Sequence, residues 1–435
     1  FDQASVEGLR EVVASRDPEA LGDDPVRLLE LARVGHERRA EFYAAAALIE
    51  IEAAMIDDDP SFKAALYREL GRLRREELLD ERGAVVAYEA ALELDPEDDE
   101  SQEALEQLEH AAASWRQIAE RFIEEASTAS DPTLKASFLS RAASTLWIHG
   151  GPEEHARVDD LFQQAVSVDP GQMRPTRLYS VVLRQQARWE ELARLLLTTG
   201  DAGRNRDEKL QCYLHAARLR RGVLADPDGA AACYERVLDF TPGQREAMEF
   251  LVEYFTEREQ WDHVVAVYDD ALRARQKLED EQGTLLQIGM VHWRMRGDAE
   301  SAEPYFARLR KLDPKNGAML GFYEAYYDGG DPEGKLVGIL GDAQRVVTDP
   351  TEKLALSIRL AQAAQKSGIV EKAIDAWKAV QRLDRGNALA AEALRDLYAK
   401  GDKWNALVEV LRSELDGLGD DQKERKLEIL EELVR

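Results

Sequence analysis

The sequence predicts an all-α fold, an α-solenoid of about eleven antiparallel helical hairpins. Three observations predict it. Side-chain markers recur with one period of about 72 residues. Apolar residues within each period are spaced three and four apart, the stripe of an amphipathic helix. No β-branched alternating run indicates a strand.

The first marker is an aromatic residue seven positions before an Asp or Thr that is followed by Pro or Arg. It occurs as Tyr88…Asp95-Pro96, Phe162…Asp169-Pro170, Tyr234…Thr241-Pro242, Phe306…Asp313-Pro314 and Trp377…Asp384-Arg385, in steps of 74, 72, 72 and 71. The second runs Phe42, Trp115, Trp189, Trp261, Glu333 and Trp404, in steps of 73, 74, 72, 72 and 71. The third is a small residue: Gly71, Ala143, Ala217, Gly289 and Ala361. Self-similarity at a fixed period indicates stacked units, each too small to bury its apolar face alone. Helices of about 10–15 residues joined by short turns form antiparallel hairpins.

Each period holds four helices. From Thr351, the residues Leu354, Leu356, Ile358, Leu360 and Ala361 lead one face, and Gly368 breaks it. Ala373, Trp377 and Val380 form the stripe of the partner, which ends at Arg385-Gly386. Ala390 to Lys400 is the next helix, Gly401-Asp402 a turn, and Trp404, Leu407 and Leu411 the next stripe. A small residue four before the aromatic (Ala84, Ala230, Ala302, Ala373) lets two backbones approach, and the aromatic fills the wedge between hairpins. Proline then stops the helix, because it lacks an N–H and clashes with the preceding turn.

These hairpins resemble tetratricopeptide repeats, whose pattern is W-x₂-L-G-x₂-Y…A-x₃-F…P. Leu360-Ala361…Gly368…Ala373…Trp377…Val380…Arg385 matches, with Arg385 in place of proline. Ile288-Gly289…Ala302…Phe306…Leu309…Pro314 also matches, with one extra turn residue. Phe162 has Val158 at the small position and a longer loop, His149 to Arg157, before it. The hairpins carrying Trp115, Trp189, Trp261 and Trp404 keep the plan and lose the small residues. The resemblance implies a right-handed superhelix and covers about residues 24–417. The expected layout is an irregular N-terminal helical cap at 1–41, the array at 42–417 with units near 42, 115, 189, 261, 333 and 404, and a truncated further hairpin at 418–435.

The chain of 435 residues carries a net charge of −28 and has a pI near 4.8, which disfavours direct nucleic-acid contact. No run of about 20 apolar residues exists, and the best candidate, Phe42 to Ile56, is broken by Glu50 and Glu52, so no membrane insertion is expected. A soluble, cytoplasmic protein is the expectation. The first residue is Phe1, not Met, which reads either as a chain from which something was removed or as an excised piece of a larger one.

No G-x-x-x-x-G-K-[ST], G-x-G-x-x-G or H-E-x-x-H occurs, and no catalytic residue, cofactor or metal is expected. Gly150-Gly151 and Gly329-Gly330 read as helix stops. His149 and His155 share a loop with Glu153 and Glu154, too loosely spaced for a zinc site. Cys212 and Cys233 read as buried small residues of one hairpin, bridged only in an oxidising compartment. Asp57-Asp58-Asp59 and Glu97-Asp98-Asp99-Glu100 precede helix starts, where carboxylates complement the helix dipole.

The resemblance places the first helix of each hairpin on the concave face. Its inward positions lie three before, one after and four after the small residue. They give Arg68, Arg72 and Arg75 beside Gly71, Trp147 beside Ala143, Arg218 and Arg221 beside Ala217, and Met290 and Trp293 beside Gly289. Guanidinium groups bind carboxylates bidentately, and Trp and Arg dominate interface energetics. The functional reading is a groove for a protein or peptide partner with acidic and apolar residues. The opposing reading pairs these arginines with local glutamates and packs the tryptophans between repeats. The function read from the sequence is a non-enzymatic interaction scaffold. The alternatives are a regulatory arm of an enzyme and a helical array in an RNA-processing assembly. Lys423 to Arg435 starts another hairpin, and Leu427, Leu430 and Leu433 offer a face for self-association.

Overall fold

The computed structural model describes residues 3–15, 24–274, 280–330, 334–401, 403–417, 426–427 and 429–431. Glu333, the expected start of one unit, and Leu433 lie outside them, as does most of Lys423 to Arg435. All regular structure among the described residues is helical. None of their helices is long and apolar enough to cross a membrane. The chain divides into two compact units, Phe1–Phe250 and Leu251–Arg435.

In the first unit α1 (Gln3–Ser15) precedes five helix pairs and one kinked helix. The pairs are α2 (Pro25–Arg38) with α3 (Phe42–Met55), and α4 (Pro60–Glu76) with α5 (Glu81–Leu94). Next comes α6 (Asp99–Thr128), then α7 (Pro132–His149) with α8 (His155–Val168). The others are α9 (Met173–Gln185) with α10 (Trp189–Ala202), and α11 (Arg206–Gly222) with α12 (Pro227–Phe240). In chain order α13 (Arg245–Glu257) and α14 (Trp261–Arg273) follow. The second unit continues with α15 (Glu281–Met290), α16 (Ala299–Leu312), α17 (Gly317–Tyr326), α18 (Lys335–Val346), α19 (Pro350–Lys366), α20 (Val370–Leu383), α21 (Ala388–Lys400) and α22 (Trp404–Gly417).

The acidic residues before helices act largely as caps. Asp59, Asp80, Asp131, Asp226, Asp280, Asp298 and Asp349 each accept a backbone N–H of the first turn. Such a bond satisfies one of the donors that a helix start leaves orphaned. Pro60, Pro132, Pro227 and Pro350 follow directly, where the missing N–H costs nothing. Asp98 departs from the expected capping role. It makes no side-chain cap bond, is buried, and takes Arg68 and Ser101 instead.

The markers lie where their physics requires. Tyr88, Phe162, Tyr234, Phe306 and Trp377 are all at most 4% exposed, beside the fully buried Ala84, Val158, Ala230, Ala302 and Ala373. Gly71 lies so close to Tyr88 that an added Cβ would sit 2.8 Å from the ring. Gly71→Ala is therefore expected to destabilise by about 1–3 kcal/mol, the usual cost of overpacking. Urea denaturation checks it, and an unchanged midpoint would mean that the ring moves freely.

Two connections are tighter in the structure than expected. The hairpin expected to open at Trp115 has no turn before it. Two helices instead meet in α6 at a kink, where Ser114 (φ −126°, ψ 19°) leaves helical geometry directly before Trp115 and its Oγ bonds back to the His110 carbonyl. Ala111, Ala112 and Ala113 precede it, and no Gly or Pro stops the helix. The loop from His149 to Arg157 is also shorter than expected. Helix α7 includes His149, a single 3₁₀ turn covers Pro152–Glu154, and α8 starts at His155.

Candidate partner-binding surface

The Gly71 hairpin carries its three arginines on α4. Arg68 donates to Asp98 at 2.8 Å and lies 3.2 Å from Glu100. Burial raises the Asp98 carboxyl, but bonds from Ser101 and Arg68 outweigh it and hold the group below its ordinary value. Arg75 donates to Gln107 at 3.1 Å. Arg72 is the most open of the three, with Glu69 and Glu76 near the contact limit at 4.0 and 3.8 Å along the same helix.

On α11, Arg218 grips Glu246 through Nε and Nη2, the latter at 2.7 Å. Tyr234 donates to the same carboxylate at 2.8 Å. Arg221 is exposed and stands 5.2 Å over the Phe250 ring. The arginines of α4 and α11 are thus each tied to neighbours of their own, and Arg72, Arg218 and Arg221 are exposed.

Trp147, near the end of α7, donates its indole N–H to Gln185 at 3.2 Å and lies 5.0 Å from the His155 ring. It lines a hollow of about 570 Å³ together with Arg10, Tyr43, Glu50, Arg74 and Gln185. Glu50 is shared there by Arg10 and Arg74. His149 does not join His155; its Nε2 faces Glu81 at 3.1 Å, and burial pulls its pKa down. Among the described residues no group of three His, Cys, Asp or Glu could hold a metal ion. Cys212 and Cys233 are free and buried, and burial pushes the Cys212 thiol up to about 12.

Met290 and Trp293 belong to the second unit. After α15 the chain widens into one π-turn, Val291–Met295. That turn sets Trp293 edge-on to Phe306 and Phe322, at ring-centroid distances of 6.4 and 5.4 Å. Both residues pack, partly buried, against the core around Phe306, and Arg294 covers the Trp293 ring at 3.6 Å.

Sequence reasoning missed a second group in the first unit: Glu41, Tyr43, Arg177, Arg184 and His215. Glu41 accepts from His36 at 2.7 Å, from Arg39 at 3.0 Å and from Arg218 at 3.0 Å, with His215 at 3.8 Å. Burial raises its carboxyl, but bonds from His215, Arg39 and His36 together hold it well below the usual carboxylate range. Arg177 faces Glu77 at 3.4 Å and stands 5.6 Å over Phe42, while Arg184 stands 5.2 Å over Tyr43. The inward positions were counted from small residues, and α9 belongs to a hairpin that has none. No signal in the sequence numbered Arg177 or Arg184 onto that face.

No family model matches the sequence, and no curated protein does. Solved structures match at low identity and low TM-score. A chain of the APC/C hetero-tetramer Cut9–Hcn1 is 15% identical over 99% of this chain and 87% of its own, with a TM-score of 0.25. A chain of the Naa15/Naa10 complex bound to HypK-THB is 15% identical over 89% of this chain and 63% of its own, with a TM-score of 0.29. Yeast Tom70 is 13% identical over 100% of this chain and 96% of its own, with a TM-score of 0.25. The period of about 72 residues, the small-residue and aromatic pairs and the hairpins that carry them make this chain an all-α solenoid of tetratricopeptide-like repeats.

Proposed function

We propose that the chain is a non-enzymatic scaffold that takes a partner protein or peptide on the inner helices of its repeats. Residues 42–417 form the receiving array in this reading, with 1–41 as its cap and 418–435 as the start of a further hairpin. A solenoid bonds mainly between neighbours and displays surface instead of enclosing one reactive centre. The observation that carries the reading is the pairing of inner arginines with carboxylates. Arg68 and Arg218 hold Asp98 and Glu246 in geometry that a partner's acidic side chains would also satisfy. Arg72 and Arg221 stay exposed beside them. Trp147 adds a flat apolar anchor on α7. Met290 and Trp293 supply apolar contact in the second unit. The partner that fits has acidic residues spaced by apolar ones.

Capture with the intact chain, followed by mass spectrometry, identifies the partner. Arg72→Glu with Arg218→Glu is then expected to weaken that partner by about 2 kcal/mol or more, roughly 30-fold, with unchanged helical circular dichroism. Unaltered affinity would remove the inner face as the binding surface.

A further inference from the structure

Several of the contacts missed in the sequence join hairpins that are not neighbours. Glu41 stands just before α3 in the first hairpin, and Arg218 lies on α11, 177 positions on. Glu77 follows α4, and Arg177 and Arg184 lie on α9. Long side chains make the bridge, with hardly any backbone contact between these helices. Phe42 and Tyr43 serve as ring platforms for the two α9 guanidinium groups. Arg177 Nε and Glu77 Oε2 are buried and face each other without hydrogen-bond alignment. In a stack held by neighbour contacts, a bridge of charges across several hairpins is the part that can open without unfolding a hairpin.

We propose that these residues form an autoinhibitory clasp: Glu41 and Glu77 close the first unit's turn onto α9 and α11 and occupy in cis guanidinium groups that an acidic partner would take. The inference rests on the proposed function, because it assigns the partner's carboxylates the places of Glu41 and Glu77. The Arg218 guanidinium is the shared element: Nη1 holds Glu41, while Nε and Nη2 hold Glu246. A partner carboxylate that displaces Glu41 frees the start of α3 and opens the inner face behind it. Glu41 is thereby a built-in stand-in for the ligand.

Two measurements on the full chain test it. Spin labels at Arg38→Cys and Gly222→Cys, both exposed, report the distance across the clasp, while Cys212 and Cys233 are buried and stay unlabelled. A narrow distribution is expected at low salt. Glu41→Gln with Glu77→Gln is expected to replace it by a longer, broader one; an unchanged distribution overturns the clasp. If that variant loses helical circular dichroism, the labelled chain with both glutamates is read at about 1 M salt, where screening reaches ~3 Å. Broadening there sustains the clasp, and constancy overturns it. The second measurement uses a fluorescent oligoglutamate peptide as probe. The double glutamine variant is expected to bind it about tenfold more tightly, or 1.4 kcal/mol. Equal affinity overturns the inhibitory role. A peptide that binds neither protein overturns the acidic-partner reading and with it the inhibition, while the distance still decides whether the turn is clasped.

Discussion

Trp377→Ala is expected to lower stability by about 3–5 kcal/mol, the range for deleting a large buried aromatic. Trp377 is 2% exposed and sits in a cluster with Ala361, Ala373, Val380, Leu394, Leu397 and Tyr398. The truncation removes its contacts with α19 and α21 together. It also deprives Gln365 of an indole N–H donor at 3.0 Å. Those helices are packed by many neighbours and cannot collapse into the space. Urea denaturation followed by circular dichroism measures the loss, and hydrogen exchange in α19–α21 is expected to rise with it. A change below ~1 kcal/mol would show that Trp377 is not part of the core between hairpins.

Arg33→Met is expected to cost a similar amount, about 3–5 kcal/mol near neutral pH, because it leaves a buried carboxylate without its cation. Glu52 is fully buried, and Arg33 donates to it at 3.0 Å while also reaching Glu69 at 3.0 Å and Glu37 at 3.3 Å. The remaining oxygen of Glu52 has no hydrogen-bond partner. Burial already pushes the Glu52 pKa up, and Arg33 opposes that push. Without Arg33 the folded-state pKa rises further above the unfolded value. The folded variant then holds a proton that the unfolded chain releases. Its stability is present below the unfolded carboxylate value, about 4.3, and falls as pH rises toward the folded one. The deficit against wild type is therefore expected to be small near that value and to grow toward neutrality. Adding Glu52→Leu removes the stranded charge and is expected to restore most of the loss. Thermal unfolding at several pH values separates these outcomes. A deficit independent of pH would mean that Arg33 acts by packing alone.

The repeat was legible because its markers report local physics. The aromatic at Phe306 meets Gly289 on the helix before it and Phe322 on the helix after it, so chain spacing encodes the contact directly. Helix starts were legible for the same reason: Asp59-Pro60 and Asp349-Pro350 settle their own first turns. The form of the joint before Trp115 was not, since Ala111 to Ala113 carry no Gly or Pro and the two helices meet in a kink at Ser114 instead of a loop. The Arg33–Glu52 pair was hidden among many exposed charges, because only the packing of α2 on α3 decides which one is buried. The bridge from Glu41 to Arg218 was hidden more deeply. It depends on the small rotation between successive hairpins summed over the whole turn. No residue encodes that sum, and the inward arginines were therefore placed by helix face without the carboxylates that meet them.

Helix α6 has a mechanical consequence. Each turn in a stack of hairpins is a joint at which neighbouring layers can shear. Within Asp99–Thr128 two helices meet at Ser114 with no intervening loop, so the joint there is a kink at a single residue. Such a joint has no loop to lengthen, so the two helices can change their angle and cannot slide apart. Under load, Ser114 is expected to bend as the turns between the other helices do, without the slack that a loop gives them.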